Sequence, residues 1–340
     1  MNTAIRAITR AVQANCDISD AAYAQDMTLC NYLLAMREHF RWEKGLPVGV
    51  EPERSAVGRW ISEREARWES IAGRDFSAVP LERGEADPFD VATVNGEIVP
   101  HGWAYGAAIG RFGKPHFFLG QLVRRETRSD VEVLEVGRES ARDLEASAAQ
   151  LVGNTVVIRR EAFERWLWTS AEAWALTRRP GAMRAALQHY GYDADPAGAI
   201  LAMADEQRET LLLHELGEHA AGVRLGPAWE AYMNRTKSKR QELMARGVRD
   251  LLADCLVTLP AIAAQRDLAS LHFYFATFSG MRKSLFPALP QAYEKVVSGT
   301  EWESLTQCAS MGECHWLAAA TALADGHTDM PEDPAALALR

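Results

Sequence analysis

The sequence predicts an α+β protein, predominantly helical, with a small antiparallel β-sheet in the N-terminal half. Three observations predict it. Apolar residues recur at three- and four-residue spacing over residues 3–44, 53–73 and most of 161–327. Between about residues 88 and 160 that period gives way to short runs rich in Val, Ile, Phe and Tyr, bounded by Gly, Pro and Asn. The 340 residues are 48% hydrophobic and 24% charged, ordinary globular usage with enough chain for one large core or two domains.

Each element follows from local signals. Ile5, Ile8 and Val12, then Tyr32, Leu33, Met36 and Phe40, place one helix over residues 3–44, stopped by Gly45 and Pro47. His39 and Glu43 lie one turn apart in a charge-dense stretch, which reads as a solvated face. Val57, Trp60, Ile61 and Trp68 mark a second helix over 53–73. Pro80, Gly84 and Pro88 punctuate a loop. Asn95-Gly96 between β-prone runs reads as a hairpin over 89–100. Further strands fall at 103–109, 116–124, 131–136 and 155–159. Gly106, Gly110 and Gly113 around Arg111 and Lys114 fit neither a dinucleotide fingerprint nor a P-loop, so they read as a hairpin with glycines at positive φ. His101 and His116, at strand edges, read as structural.

From residue 161 the chain reads as helix. Phe163, Trp166, Leu167 and Trp174 form an apolar stripe ended by Arg178, Arg179 and Pro180. Gly191 closes a short helix, and Asp195 caps the next with Pro196 at its first position. That helix ends near 222–226, with Pro227 opening a new stretch and a polar break at 234–241. Residues 243–257 are amphipathic and carry Asp250, Asp254 and Cys255. The predicted organisation is helices over 1–85, a sheet region over 86–160, a helical domain over 161–327 and a frayed tail over 328–340.

Bulk properties exclude some functions. A net charge of -9 argues against a nucleic-acid binder, whose footprint is basic. Five scattered cysteines form no disulfide framework and indicate a reducing cytoplasm. The N-terminus has no apolar signal core, and no run approaches the roughly 20 apolar residues that span a bilayer. Cys308, Cys314 and His315 lack metal-site spacing. The expected partner is a small-molecule or peptide substrate.

The chemistry concentrates in Leu211-Leu212-Leu213-His214-Glu215-Leu216-Gly217-Glu218-His219. On a helix, His214 and Glu218 share one face, and so do Glu215 and His219. So many polar groups beside leucines require pairing or an ion. The stretch resembles the His-Glu-x-x-His helix of the zincin metallohydrolases, with a carboxylate in place of the second histidine. That resemblance implies a divalent metal held by His214 and Glu218, and a hydrolase in which Glu215 acts as general base on bound water. A third ligand is expected from Asp254 on the next long helix, with Asp250 beside it, and His272 is a further metal candidate. Because oxygen ligands move preference away from zinc, iron and manganese stay open. A second reading is a non-haem iron oxidase or oxygenase, mono- or di-iron, drawing on Glu43, Glu209, His214, Glu215, Glu218, His219, Asp254 and His272. A third is a non-enzymatic protein that binds a small ligand or partner between sheet and helices. A buried polar network pairing His214 with Glu218, with Glu215 in water, accounts for the same stretch without an ion.

Over most of its length the chain also resembles an uncharacterised bacterial family, a domain of unknown function. The stretches that carry this are residues 41–47, 110–118, 214–218 and 271–275. The resemblance implies a bacterial cytosolic protein and assigns no activity.

Overall fold

The computed structural model describes residues 3–236, 238–299 and 301–340. The chain forms two compact units, Met1–Ala173 and Trp174–Arg340. It is α+β and predominantly helical, with its strands in the first half.

The N-terminal unit opens with α1 (Thr3–Tyr23), α2 (Leu29–Glu43) and α3 (Arg54–Ile71). The single helix expected over 3–44 is therefore two, parted where the Thr28 side chain caps α2 by accepting the Asn31 N–H. A short hairpin, β1 (Val79–Leu81) with β2 (Gly84–Ala86), precedes α4 (Val91–Ile98). The main sheet comprises β3 (Trp103–Ile109), β4 (Pro115–Arg128), β5 (Val131–Arg142), β6 (Ala149–Val152) and β7 (Thr155–Arg159). Its order is β3-β4-β5-β7-β6, antiparallel except for the parallel β5–β7 pair. Register shifts between Leu119 and Arg124 bend the long β4–β5 ribbon.

α1 lays Ile5, Ile8, Val12 and Cys16 on one sheet face, against Tyr105, Phe117, Leu119 and Ala141. Full burial of each aliphatic side chain contributes about 1.5–3 kcal/mol. The other face gathers Ala104, Phe118, Leu134, Val136 and Val157. Polar groups on α1 are buried with partners. Asn15 exchanges two hydrogen bonds with the Ser77 backbone, at 2.7 and 2.8 Å, and Lys114 pairs with Asp20 at 3.0 Å. Lys114 is thus committed to an ion pair. Of the three glycines around it only Gly113 has positive φ (77°); Gly106 and Gly110 are held by close contacts. His116 Nδ1 lies 3.1 Å from the buried Asp143 carboxylate.

Two local expectations fail here. The stretch around Asn95-Gly96 is not a hairpin but the middle of α4. Asp90 caps that helix by accepting the Thr93 N–H, and Val94 and Ile98, four apart, are its buried positions. His39 and Glu43 do not form a solvated face. The His39 ring is enclosed by Trp42 and Trp60, at 5.0 and 5.9 Å, and Glu43 accepts from the Trp60 indole and pairs with Arg64.

The division between units falls within α5 (Arg160–Thr177). The C-terminal unit continues with α6 (Ala182–His189), α7 (Pro196–Arg235), α8 (Lys239–Ala253), α9 (Leu259–Gln265), α10 (Leu268–Thr277), α11 (Gly280–Leu285), α12 (Ala288–Gly299) and α13 (Trp302–Ala324). Asp195 caps α7 through the Gly198 N–H, with Pro196 at its first position as expected. The break expected at Gly226-Pro227 is a kink, with Gly226 at φ 63° and ψ −168°. Between α8 and α9 the chain makes one wider, π-helical turn, Asp254–Thr258. Val248, Leu251, Leu252, Leu259, Leu271, Leu289 and Trp316 form this unit's core. The last residues lie against it: the Leu339 N–H donates to the Leu285 carbonyl at 2.9 Å, and His315 bonds the Leu337 carbonyl at 2.8 Å.

Candidate functional site

The leucine-led stretch lies in the middle of α7, where it crosses the end of α8. A Cβ on Gly217 would fall 2.4 Å from the Ala253 carbonyl oxygen, so only glycine permits this approach. The crossing sets His214, one turn before Gly217, beside Asp254, the first residue of the π-helical turn. His214 Nδ1 is 2.7 Å from Asp254 Oδ1, and His214 Nε2 is 3.7 Å from Glu218 Oε1. His214 therefore lies beside each of the two carboxylates expected to share an ion with it. What holds the carboxylates is not an ion. Arg282 Nη1 (3.0 Å) and the Tyr274 hydroxyl (2.8 Å) donate to Asp254 Oδ2, and Arg249 Nη2 donates to Glu218 Oε1 at 2.8 Å.

Burial alone would depress the His214 pKa, but the Asp254 carboxylate, with Glu218 and Glu215 behind it, pushes it up to about 10. A quarter of the side chain remains open to solvent. At neutral pH the ring is an imidazolium, with Nδ1 donating to Asp254 and Nε2 turned toward Glu218. Burial raises the Asp254 pKa less than His214, Arg282 and Tyr274 together lower it, and it stays ionised. Glu215 is buried, not in water. Burial, then the Glu218 charge, push its pKa up to about 8. His214, Arg249 and Arg282 thus face the carboxyl groups of Asp254, Glu218 and neighbouring Asp250.

This overturns the metal reading. Among the described residues no three His, Cys, Asp or Glu side chains are grouped to hold a metal ion. The divalent ion, the zincin-type hydrolase and the iron oxidase all fall with that finding, and the zincin likeness is confined to sequence. His272 lies apart from the cluster, its Nδ1 3.0 Å from the Tyr293 hydroxyl. Glu43 belongs to the N-terminal unit, and Glu209 pairs with Arg208 at 3.7 Å. The residues that sequence reasoning missed are the donors Arg249, Tyr274 and Arg282. Arg249, directly before Asp250 on the same helix, was the available signal.

A different site was not anticipated as such. In the N-terminal unit, a cleft of about 600 Å³ opens between α4 and the sheet face opposite α1. Its apolar lining includes Phe89, Val91, Val99, Leu134, Val152 and Val157. Phe89 is 40% exposed at the rim. The sheet is coiled enough that its two edge strands approach each other here. A Cβ on Gly106 of β3 would meet Phe118 Cε1 at 2.1 Å and Gln150 Nε2, from β6, at 2.8 Å. The missing side chain keeps this space open. The charged rim is already paired, since Arg125 Nε donates to Glu132 Oε1 at 2.8 Å. Gln150 Nε2 is different: it is enclosed and has no hydrogen-bond partner. A buried, unpaired amide donor costs about 1–3 kcal/mol, a cost that an acceptor oxygen in the cleft would remove.

Residues 7–159 match the model for the N-terminal domain of a family of unknown function, DUF6866, and residues 164–339 match the model for its C-terminal domain. No curated protein and no solved structure matches the chain.

Proposed function

The chain belongs to the DUF6866 family, and from its geometry we propose that it is a non-enzymatic binding protein whose recognition site is the cleft between α4 and the sheet. The observation that carries this reading is the unpartnered Gln150 amide in a cleft of about 600 Å³ that combines an apolar floor with a polar rim, a volume in the usual range for small-ligand sites. The lining selects an uncharged, mainly apolar group with one acceptor oxygen. The α7 cluster supports the same reading from the other side. Its acids are matched by arginines and its histidine is protonated, so it acts as a clamp between helices. A cytoplasmic setting belongs to this proposal and agrees with five free thiols. No helix of the described residues is long and apolar enough to cross a membrane.

Titrating the methyl-labelled full chain with N-benzylacetamide tests the site. The methyl resonances of Val91, Leu134, Val152 and Val157 should shift together. Shifts confined to other residues, or none up to the solubility limit of the probe, would remove the cleft as the recognition site.

A further inference from the structure

The two edges of the main sheet are treated differently. On β3, the Asn95 side chain from α4 donates to the Tyr105 carbonyl and accepts the Tyr105 N–H, both at 2.8 Å. That edge is capped in the way proteins blunt strand edges. β6 has β7 on one side and, among the described residues, no strand on the other. Its register shows which backbone groups face outward. Val152 and Thr155 flank a two-residue turn, and the Arg159 N–H donates to the Ala148 carbonyl at 2.8 Å. In an antiparallel ladder bonded pairs alternate, so Ala148, Gln150 and Val152 bond inward to β7. Ala149 and Leu151 direct their N–H and C=O groups outward. Side chains alternate too, and Gln150 and Val152 point into the cleft.

We propose that the occupant of the cleft is an extended peptide segment of a partner, added to the sheet as a strand along β6. This rests on the cleft being the recognition site and specifies its ligand. The outward groups of Leu151 would pair with the segment's backbone. Every second side chain of the segment would then enter the cleft over Leu134, Val152 and Val157. Strand addition of this kind takes its affinity from main-chain bonds and its selectivity from pockets for alternate side chains. The apolar floor and the paired Arg125–Glu132 rim call for valine- or leucine-sized groups and no net charge.

The test uses the full chain and an acetylated, amidated hexapeptide of alternating threonine and valine. Two N-methylated versions block either the backbone amides facing β6 or those facing away. The parent peptide should bind and slow hydrogen exchange at the Leu151 amide. Methylation on the β6-facing side should weaken binding about tenfold for one lost bond, and methylation on the other side should leave it unchanged. Leu151→Pro removes an outward N–H, which an edge strand tolerates. It should abolish peptide binding while N-benzylacetamide still shifts the cleft methyls. Equal binding of both methylated peptides overturns strand addition. So does undiminished peptide binding by Leu151→Pro. Fragment binding without peptide binding overturns strand addition and leaves the cleft reading intact, whereas binding of neither overturns both. A fall in the mass of the free protein in solution on Leu151→Pro would also overturn the proposal, by assigning the edge to a second copy.

Discussion

Asp254 concentrates the largest single commitment in the C-terminal unit. It is fully buried and accepts from an imidazolium, a guanidinium and a phenol. Replacing it with Ala leaves His214 and Arg282 without their counter-charge, and breaking a buried pair in this way costs about 3–5 kcal/mol. Denaturant unfolding of Asp254→Ala should show a loss of that order. Glu215 and His214 also tie stability to pH. Both hold protons more tightly when folded than their ordinary values of 4.5 and 6.5. Their contributions are therefore complete at low pH and lost as pH rises, through about 8 for Glu215 and about 10 for His214. Asp254, held low, acts oppositely and loses its contribution only in acid. Stability should fall from pH 5 toward pH 10. In Glu215→Gln, which mimics the protonated acid, the fall between pH 5 and 8 should become shallower, while the fall that His214 contributes above its ordinary value of 6.5 remains. An unaltered pH profile in that variant would show that Glu215 is ionised in the fold.

At the scale of elements, two crossings decide the architecture. α7 meets α8 backbone to backbone at Gly217, beside the π-helical turn that presents Asp254. Gly217→Ala would gain up to about 1 kcal/mol of helix propensity. It would force the helices apart, and overpacking of this kind costs about 1–3 kcal/mol. Calorimetry should show a net loss. In the other unit α4 lies along β3 through Asn95. Asn95→Ala leaves the Tyr105 backbone uncapped, and hydrogen exchange at that amide should accelerate. These crossings explain what could and could not be read from sequence. The Asp195-Pro196 start of α7 and strands β3 and β7 were legible because they depend on local periodicity and caps. The arginines that replace a metal were not, since Arg249 and Arg282 reach the cluster only once α8 and α11 have packed. Asn95-Gly96 misled because its turn signal is local, whereas the burial of Val94 and Ile98 is tertiary. β6 has four residues with no alternation to mark it, and the cleft beside it arises from sheet curvature, which pattern does not encode.

The whole molecule consists of two units, each with its own core. The stretch with the most reactive groups, on α7, is neutralised by its own chain. The cleft of the N-terminal unit is open and holds an unsatisfied amide, yet it is built from residues with little chemical signature. Binding of a neutral ligand should therefore respond to filling the cleft and ignore the α7 cluster. The direct measurement is the affinity of the full chain for N-benzylacetamide, compared with Val152→Trp, which fills the cleft, and Glu215→Gln, which alters the cluster. The account predicts that binding is lost in Val152→Trp and unchanged in Glu215→Gln. Weakened binding in Glu215→Gln with full binding in Val152→Trp would contradict it.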